Sequence, residues 1–142
     1  MSQATYEDVN LILKLYELRR EDKMREARAW FLASCKAKSA KELMDLCPPG
    51  SDNNARFRMV VSYWDMVGSF VTAGVLNEEL LAQSTNELLL TWERVRPVVA
   101  ELRAFLKDPG AWRHLETVGN SLAERMKKRG AYDGFLERVV GT

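Results

Sequence analysis

Apolar residues recur every three or four positions along most of this chain, and no segment shows the sustained alternation that is typical of a β-strand. The helices predicted from this spacing span residues 6–35, 39–46, 54–73, 78–107 and 109–129, and a weaker pattern suggests a short C-terminal helix over 133–140. The predicted fold is all-α: a single-domain antiparallel helical bundle over residues 1–142, with four long helices plus one short helix. The third helix is apolar around most of its circumference, which predicts that it lies at the centre.

Three local signals refine the bounds of these helices. The apolar face of the fourth pattern is interrupted around residues 84–86, where we expect a break or a bend. Pro97 lies inside the same pattern and predicts a kink, because proline has no N–H to donate within a helix. Asp108 followed by Pro109 predicts the start of the last long helix, since proline is favoured at the first helical position.

Composition and charge narrow the class of protein. The chain has 142 residues, of which 46% are hydrophobic and 29% are charged, as expected for one globular domain. The 21 basic and 20 acidic residues give a net charge of +1 and nearly balance in each half of the chain. This balance argues against binding to nucleic acid or to an anionic membrane. No basic or apolar leader follows Met1, and no uncharged run is long enough to span a bilayer, so we expect a soluble cytoplasmic protein.

Few residues are available for metal or nucleophilic chemistry. Cys35, Cys47 and His114 are the only cysteines and the only histidine, and they do not form a zinc-ligand pattern. We expect two reduced thiols, although a disulfide that closes the loop between Cys35 and Cys47 is an alternative. The sequence contains no hydrolase, phosphate-binding or dinucleotide-binding motif. We therefore predict no catalytic residue, no metal and no cofactor.

Asp65 is the acidic residue that stands out, because apolar residues flank it on the third predicted helix. One hypothesis is a buried carboxylate with a raised pKa that binds a ligand or transfers a proton, together with an arginine, in a cavity lined by tryptophans. The other hypothesis is a structural partnership with an arginine of a neighbouring helix, such as Arg96 or Arg103. The candidate ligand-binding residues are Trp64, Asp65, Arg96 and Arg103.

The first predicted helix has more apolar surface than one contact with a core requires. Leu11, Leu15 and Leu18 form a second apolar edge beside the stripe that runs from Val9 to Tyr16. Extra apolar surface on a charged helix indicates self-association or a protein partner. We therefore predict an interaction or regulatory module without catalytic activity, and the alternative is a small-molecule sensor or enzyme that uses Asp65.

Several motifs of the central region resemble those of a known family. They are Ser62-Tyr63-Trp64-Asp65, Gly74-Val75-Leu76-Asn77, Trp92 with Pro97, and Arg103 before Asp108-Pro109 and Trp112. In this pattern the chain resembles a family of small, mostly bacterial helical proteins catalogued as a domain of unknown function. The resemblance covers roughly residues 24–122, although the family more usually has Glu at the position of Asp65. It implies an all-α fold and no established activity.

Overall fold

The computed structural model describes residues 3–141 and has an all-α fold, with no β-strand among these residues. Met1, Ser2 and Thr142 lie outside the described residues. The predictions that concern them, which are the outermost bounds of the domain and the absence of a leader after Met1, therefore lie outside the described residues as well. The elements are α1 (Tyr6–Arg19), α2 (Asp22–Ser34), α3 (Ala40–Leu46), α4 (Asp52–Thr72), α5 (Glu78–Ser84), α6 (Glu87–Val95), a 3₁₀ turn (Arg96–Val98), α7 (Val99–Leu106), α8 (Arg113–Lys128) and α9 (Tyr132–Val139). No helix among residues 3–141 combines the length and the apolar character needed to cross a membrane.

The segment predicted as one helix over 6–35 is two helices. Glu21 has an extended backbone and caps α2, because its carboxylate accepts the backbone N–H of Met24 at 3.1 Å. The guanidinium of Arg28 caps the end of α1 by donating to the carbonyl of Arg19 at 3.1 Å. The same guanidinium donates to both carboxylate oxygens of Glu87 at 2.8 Å, which joins α1 and α2 to α6. The break is therefore stabilised by a contact that helical spacing does not reveal.

The segment predicted as one helix over 78–107 is also divided, at the two places where the sequence indicates interruptions. Thr85 is extended and ends α5, and α6 begins at Glu87. Pro97 lies in the 3₁₀ turn between α6 and α7. Because proline cannot donate the hydrogen bond that a continuous α-helix needs, the tighter turn takes its place.

The last long helix begins at Arg113 and not at Pro109. The carboxylate of Asp108 accepts the backbone N–H of Gly110 at 2.9 Å, so Asp108 stabilises a turn instead of capping a helix. Trp112 follows in the left-handed conformation, with a φ of 58°. The prediction that Pro109 is the first helical residue is therefore wrong.

Helix α4 packs against α2, α6 and α8. Its inward positions are buried. Two glycines mark places where helices approach closely: Gly68, between α4 and the start of α8, and Gly119, between α8 and α6. A Cβ on Gly68 would lie 2.8 Å from the carbonyl oxygen of His114, and a Cβ on Gly119 would lie 2.5 Å from Cγ of Trp92. Both distances are too short for a methyl group, so glycine at these positions sets the distance between the helices.

Candidate functional site

Asp65 caps helix α8 from across the interface between α4 and α8. Its Oδ1 accepts the backbone N–H of Leu115, the third residue of α8, at 2.9 Å. The residue that precedes α8, Trp112, provides no side-chain cap of its own. A carboxylate at this place satisfies a free N–H group and lies at the positive end of the helix dipole. The structural partner of Asp65 is thus the backbone amide of Leu115, and not Arg96 or Arg103 as predicted.

The two arginines make their hydrogen bonds elsewhere. Arg96 donates to Glu93 Oε1 at 2.9 Å. Arg103 donates to the carbonyl of Ala111 and to Glu116 Oε1, both at 2.8 Å, and so joins α7 to the turn before α8 and to α8 itself. The structure therefore does not assemble the four predicted ligand-binding residues through direct hydrogen bonds.

Trp64 is fully buried in the contact between α4 and the end of α1. Its ring meets the ring of Tyr63 edge to face at 4.9 Å, and the guanidinium of Arg19 lies 5.2 Å from the ring centroid. The Tyr63 hydroxyl donates to the carbonyl of Leu15 at 2.6 Å. Because these contacts involve both α1 and α4, this part of α4 anchors α1.

Arg94 is a buried cation that the sequence pattern did not single out. Its side chain is 7% exposed and donates only to backbone carbonyls. Those acceptors are Phe31 at 2.8 Å, Leu32 and Cys35 at 3.0 Å, and Val139. They lie at the ends of α2 and α9, where the helix dipoles are negative, so two helix ends stabilise the charge in place of a carboxylate. Burial lowers the pKa of Arg94, and the neighbouring Cys35 opposes this effect.

A second buried polar contact ties α6 to α9. Glu93 is 4% exposed, and its Oε2 accepts the Tyr132 hydroxyl at 2.5 Å while Arg96 contacts the other oxygen. Burial and the hydrogen bond to Glu93 both raise the pKa of Tyr132, because ionised tyrosine would be desolvated and close to a like charge. The carboxylate is fully engaged by these partners, which is typical of a structural contact.

Both cysteines are buried free thiols. Burial raises the pKa of Cys35 to about 12, and it also raises the pKa of Cys47, whose thiol donates to the carbonyl of Leu43 at 3.1 Å. A thiol that stays protonated at neutral pH is a poor nucleophile. The geometry thus gives these residues a packing role. Among residues 3–141, no group of three or more His, Cys, Asp or Glu side chains is arranged to hold a metal ion.

Two grooves lie on the surface of helix α5. The larger one is open and polar, has a volume of about 870 Å³ and is crossed by hydrogen bonds at 2.8 Å from Ser121 and Arg125 to Glu78. The smaller one is apolar, has a volume of about 250 Å³ and lies between α1 and α5. It is lined by Val9, Ile12, Leu13, Leu80, Gln83 and Ser84. Neither groove is lined by any of the four residues predicted to bind a ligand.

A row of apolar side chains on α1 faces solvent beside the smaller groove. The residues of this row, here called the α1 face, are Tyr6, Val9, Leu13 and Tyr16, whose exposed fractions are 87, 43, 54 and 48%. At Val9, Leu13 and Tyr16 the stripe that runs from Val9 to Tyr16 therefore faces outwards. The inward position is held instead by Leu15, which belongs to the edge that was expected to meet a partner and is 3% exposed.

The rotation of α1 is set by a buried carboxylate. Asp8 is 5% exposed, and its Oδ1 accepts the backbone N–H of Asn77 at 2.9 Å, just before α5. Its Oδ2 accepts the backbone N–H of Thr5 at 2.7 Å, which completes a capping box. These amides, first that of Asn77 and then that of Thr5, lower the pKa of Asp8. With Asp8 and Leu15 facing inwards, the α1 face must point outwards.

The comparisons with known proteins give a family. A model of the family described as "Domain of unknown function (DUF4760)" matches residues 4–122. The chain belongs to this family. The predicted resemblance to a domain of unknown function is thereby confirmed. The DUF4760 match includes the α1 face, Asp65 and Arg94, and it ends inside α8, so that α9 lies beyond it. No curated protein and no solved structure matches the chain.

Proposed function

We propose that this DUF4760 protein is a protein-interaction module with a regulatory role and no catalytic activity, and that it acts through the α1 face. The observation that carries this proposal is the row of four exposed apolar side chains on one helix. Its members expose on the order of 400 Å² of mainly apolar surface, which is the size of patch that often marks an interaction site. The partner is another protein or a second copy of the chain.

The α1 face is well held in place, as a binding surface must be. Asp8 fixes one end of α1 to the start of α5, and the Tyr63 hydroxyl holds the backbone at Leu15. A helix that is ordered before binding loses less conformational freedom in the complex. We further propose that the helices form an antiparallel bundle around α4 and that the protein is cytoplasmic, where its buried free thiols would stay reduced.

Photo-crosslinking in the native cell tests the proposal. A photoreactive amino acid is placed at Leu13 in one variant and at Leu106 in a control variant, because Leu106 is similarly exposed (51%) but lies on α7. We expect a defined crosslinked product from position 13, to the chain itself or to another protein, and none from position 106. No product from position 13, or the same products from both positions, would contradict the proposal.

The second candidate function, a sensor or enzyme that uses Asp65 with an arginine, stays a prediction. It lacks a supporting observation, because Oδ1 of Asp65 is engaged by Leu115 and the predicted arginines are engaged by other residues. A ligand at this site would have to compete with a helix cap.

A further inference from the structure

We propose that the larger groove, between α5 and the C-terminal half of α8, binds a small polar molecule that carries a phosphate monoester. No residue of the α1 face lines this groove, so the site is separate from the proposed interaction surface and the two proposals can fail separately. The walls come from residues 78–86 and 121–129, which are distant in the sequence. For this reason no sequence motif marks the site.

The larger groove has the volume and the lining of a site for a polar ligand. Its volume of about 870 Å³ lies within the roughly 300–1,000 Å³ that is typical of small-molecule sites. The side-chain amides of Gln83 and Asn86 line it, are exposed, and make no hydrogen bond within residues 3–141. An apolar ligand would cover these amides without giving them partners, whereas a ligand with hydroxyl groups can bind both.

Two of the three acidic residues in the groove already have cationic partners. Glu78 forms an ion pair with Arg125 at 2.8 Å, and Glu124 forms one with Lys127 at 3.1 Å. These carboxylates therefore contribute little negative charge that would repel an anion.

Two cations in the groove have no such partner. Lys128 and Arg129 are exposed and make no hydrogen bond or ion pair with the part of the chain that the structure describes. The third acidic residue, Glu79, is likewise unpaired within residues 3–141, so the unpaired charges of the groove are two positive and one negative. Charge complementarity therefore favours an anionic ligand.

Arg125 adds a guanidinium that is held in place beside these cations. Glu78 Oε2 accepts both the Ser121 hydroxyl and Nε of Arg125, each at 2.8 Å. The two terminal nitrogens of Arg125 donate to no group within residues 3–141. A guanidinium that is fixed before binding loses little conformational freedom when it donates to an anion.

The spacing of the three cations favours a compact anion with more than one charge. Lys128 and Arg129 follow Arg125 by three and four residues, so each Cβ lies about 5–6 Å from that of Arg125. A phosphate monoester carries close to two negative charges and presents three acceptor oxygens within this distance. The carboxylates of an acidic peptide are spread along its chain and match one helical turn less well. Cations at the end of α8 also stabilise the helix dipole, but that role predicts no bound ligand.

Amide NMR titration of the full chain at constant ionic strength tests the site. The probes are glycerol 3-phosphate and glucose 6-phosphate, and the controls are glycerol and glucose, which lack the phosphate. We expect at least one probe to cause saturable shifts within residues 78–86 and 121–129, with a Kd on the order of 0.1–1 mM, and we expect neither control to do so.

Three results of the titration would overturn the proposal. The first is the absence of a saturable shift with both probes. The second is a Kd for inorganic phosphate that equals those of the probes, because the groove would then hold an adventitious ion only. The third is a phosphoserine peptide that binds at least tenfold more tightly than both probes, because the phosphate would then belong to a protein.

Charge substitutions test the residues. Lys128→Gln should raise the Kd about fivefold, because an unpaired cation is lost. The control Lys127→Gln removes the same charge from the next residue, which does not line the groove, and should leave the Kd unchanged. Glu79→Gln should lower the Kd about threefold, because it removes the unpaired acid.

Equal effects of the two lysine substitutions, or weaker binding in Glu79→Gln, would overturn the assignment of the phosphate to this groove. Circular dichroism of each variant checks that the helices are intact.

Discussion

Removal of the Asp65 carboxylate should loosen the first turn of α8. In Asp65→Ala the N–H of Leu115 loses its acceptor, and no side chain of the preceding residues replaces it. Loss of a helix cap lowers the free energy of unfolding by about 0.5–2 kcal/mol. A cap whose acceptor is charged contributes more than a neutral one. Since the side chain is half-buried, we expect a loss of about 1.5 kcal/mol in the free energy of unfolding. For 142 residues this corresponds to a decrease in Tm of about 5 °C.

Thermal unfolding followed by circular dichroism measures this loss, and hydrogen exchange at the Leu115 amide locates it. Asp65→Asn retains an acceptor oxygen but loses the charge, so it should cost about 0.5 kcal/mol. Asp45→Ala is the control, because Asp45 makes only an exposed ion pair with Lys41 at 3.5 Å and should change stability by less than about 0.5 kcal/mol. An unchanged Tm in Asp65→Ala, with normal protection of the Leu115 amide, would refute the cap.

Three further predictions concern the packing at Gly119, the buried cation Arg94 and the effect of low pH on Asp8. Gly119→Ala should lower the free energy of unfolding by about 2 kcal/mol, because its Cβ would lie 2.5 Å from Trp92 Cγ. The control Gly134→Ala, in α9, should raise the free energy of unfolding by about 0.5 kcal/mol. Urea unfolding that finds the Gly119 variant more stable than the Gly134 variant would contradict this prediction. Arg94→Lys should lower the free energy of unfolding by about 2 kcal/mol in the same assay, because an ammonium cannot reach both helix ends as the guanidinium does. A variant as stable as the wild type would show that these contacts are dispensable. The folded-state pKa of Asp8 is lowered from 3.8, so its contribution is present above pH 3.8 and is lost as the pH falls through the folded pKa. The stability difference between the wild type and Asp8→Asn should therefore shrink on acidification, and a difference that does not vary with pH would count against this contribution.

The sequence predicted the helical class because every helix that packs on a core must repeat its apolar residues with the helical period. It predicted the helix ends less well. The break after Arg19 and the start of α8 depend on Arg28 and on Asp65, which lie far from those ends in the sequence. Local capping rules cannot identify a cap that another helix supplies.

The residues of the candidate site were also only partly predictable, because contacts between distant parts of the chain decide their surroundings. Two apolar rows on α1 are both compatible with burial, and the contact between Asp8 and Asn77, 69 positions apart, decides which row faces inwards. The sequence drew attention to Asp65 because apolar residues flank it, but it could not show that the hydrogen-bond partner of this carboxylate is an amide of α8. Nothing in the sequence distinguished Arg94 from the other arginines, because its acceptors are backbone carbonyls.

The central claim, that the α1 face is the interaction surface, is tested most directly by the methyl NMR signals of Val9 and Leu13 in two series: as the purified protein is diluted, and as extract of the native cell is added. We expect these signals to shift in at least one series, while those of Val75 and Leu106, which are also exposed but lie outside α1, stay constant. Constant signals from Val9 and Leu13 in both series, or equal shifts at all four residues, would contradict the claim.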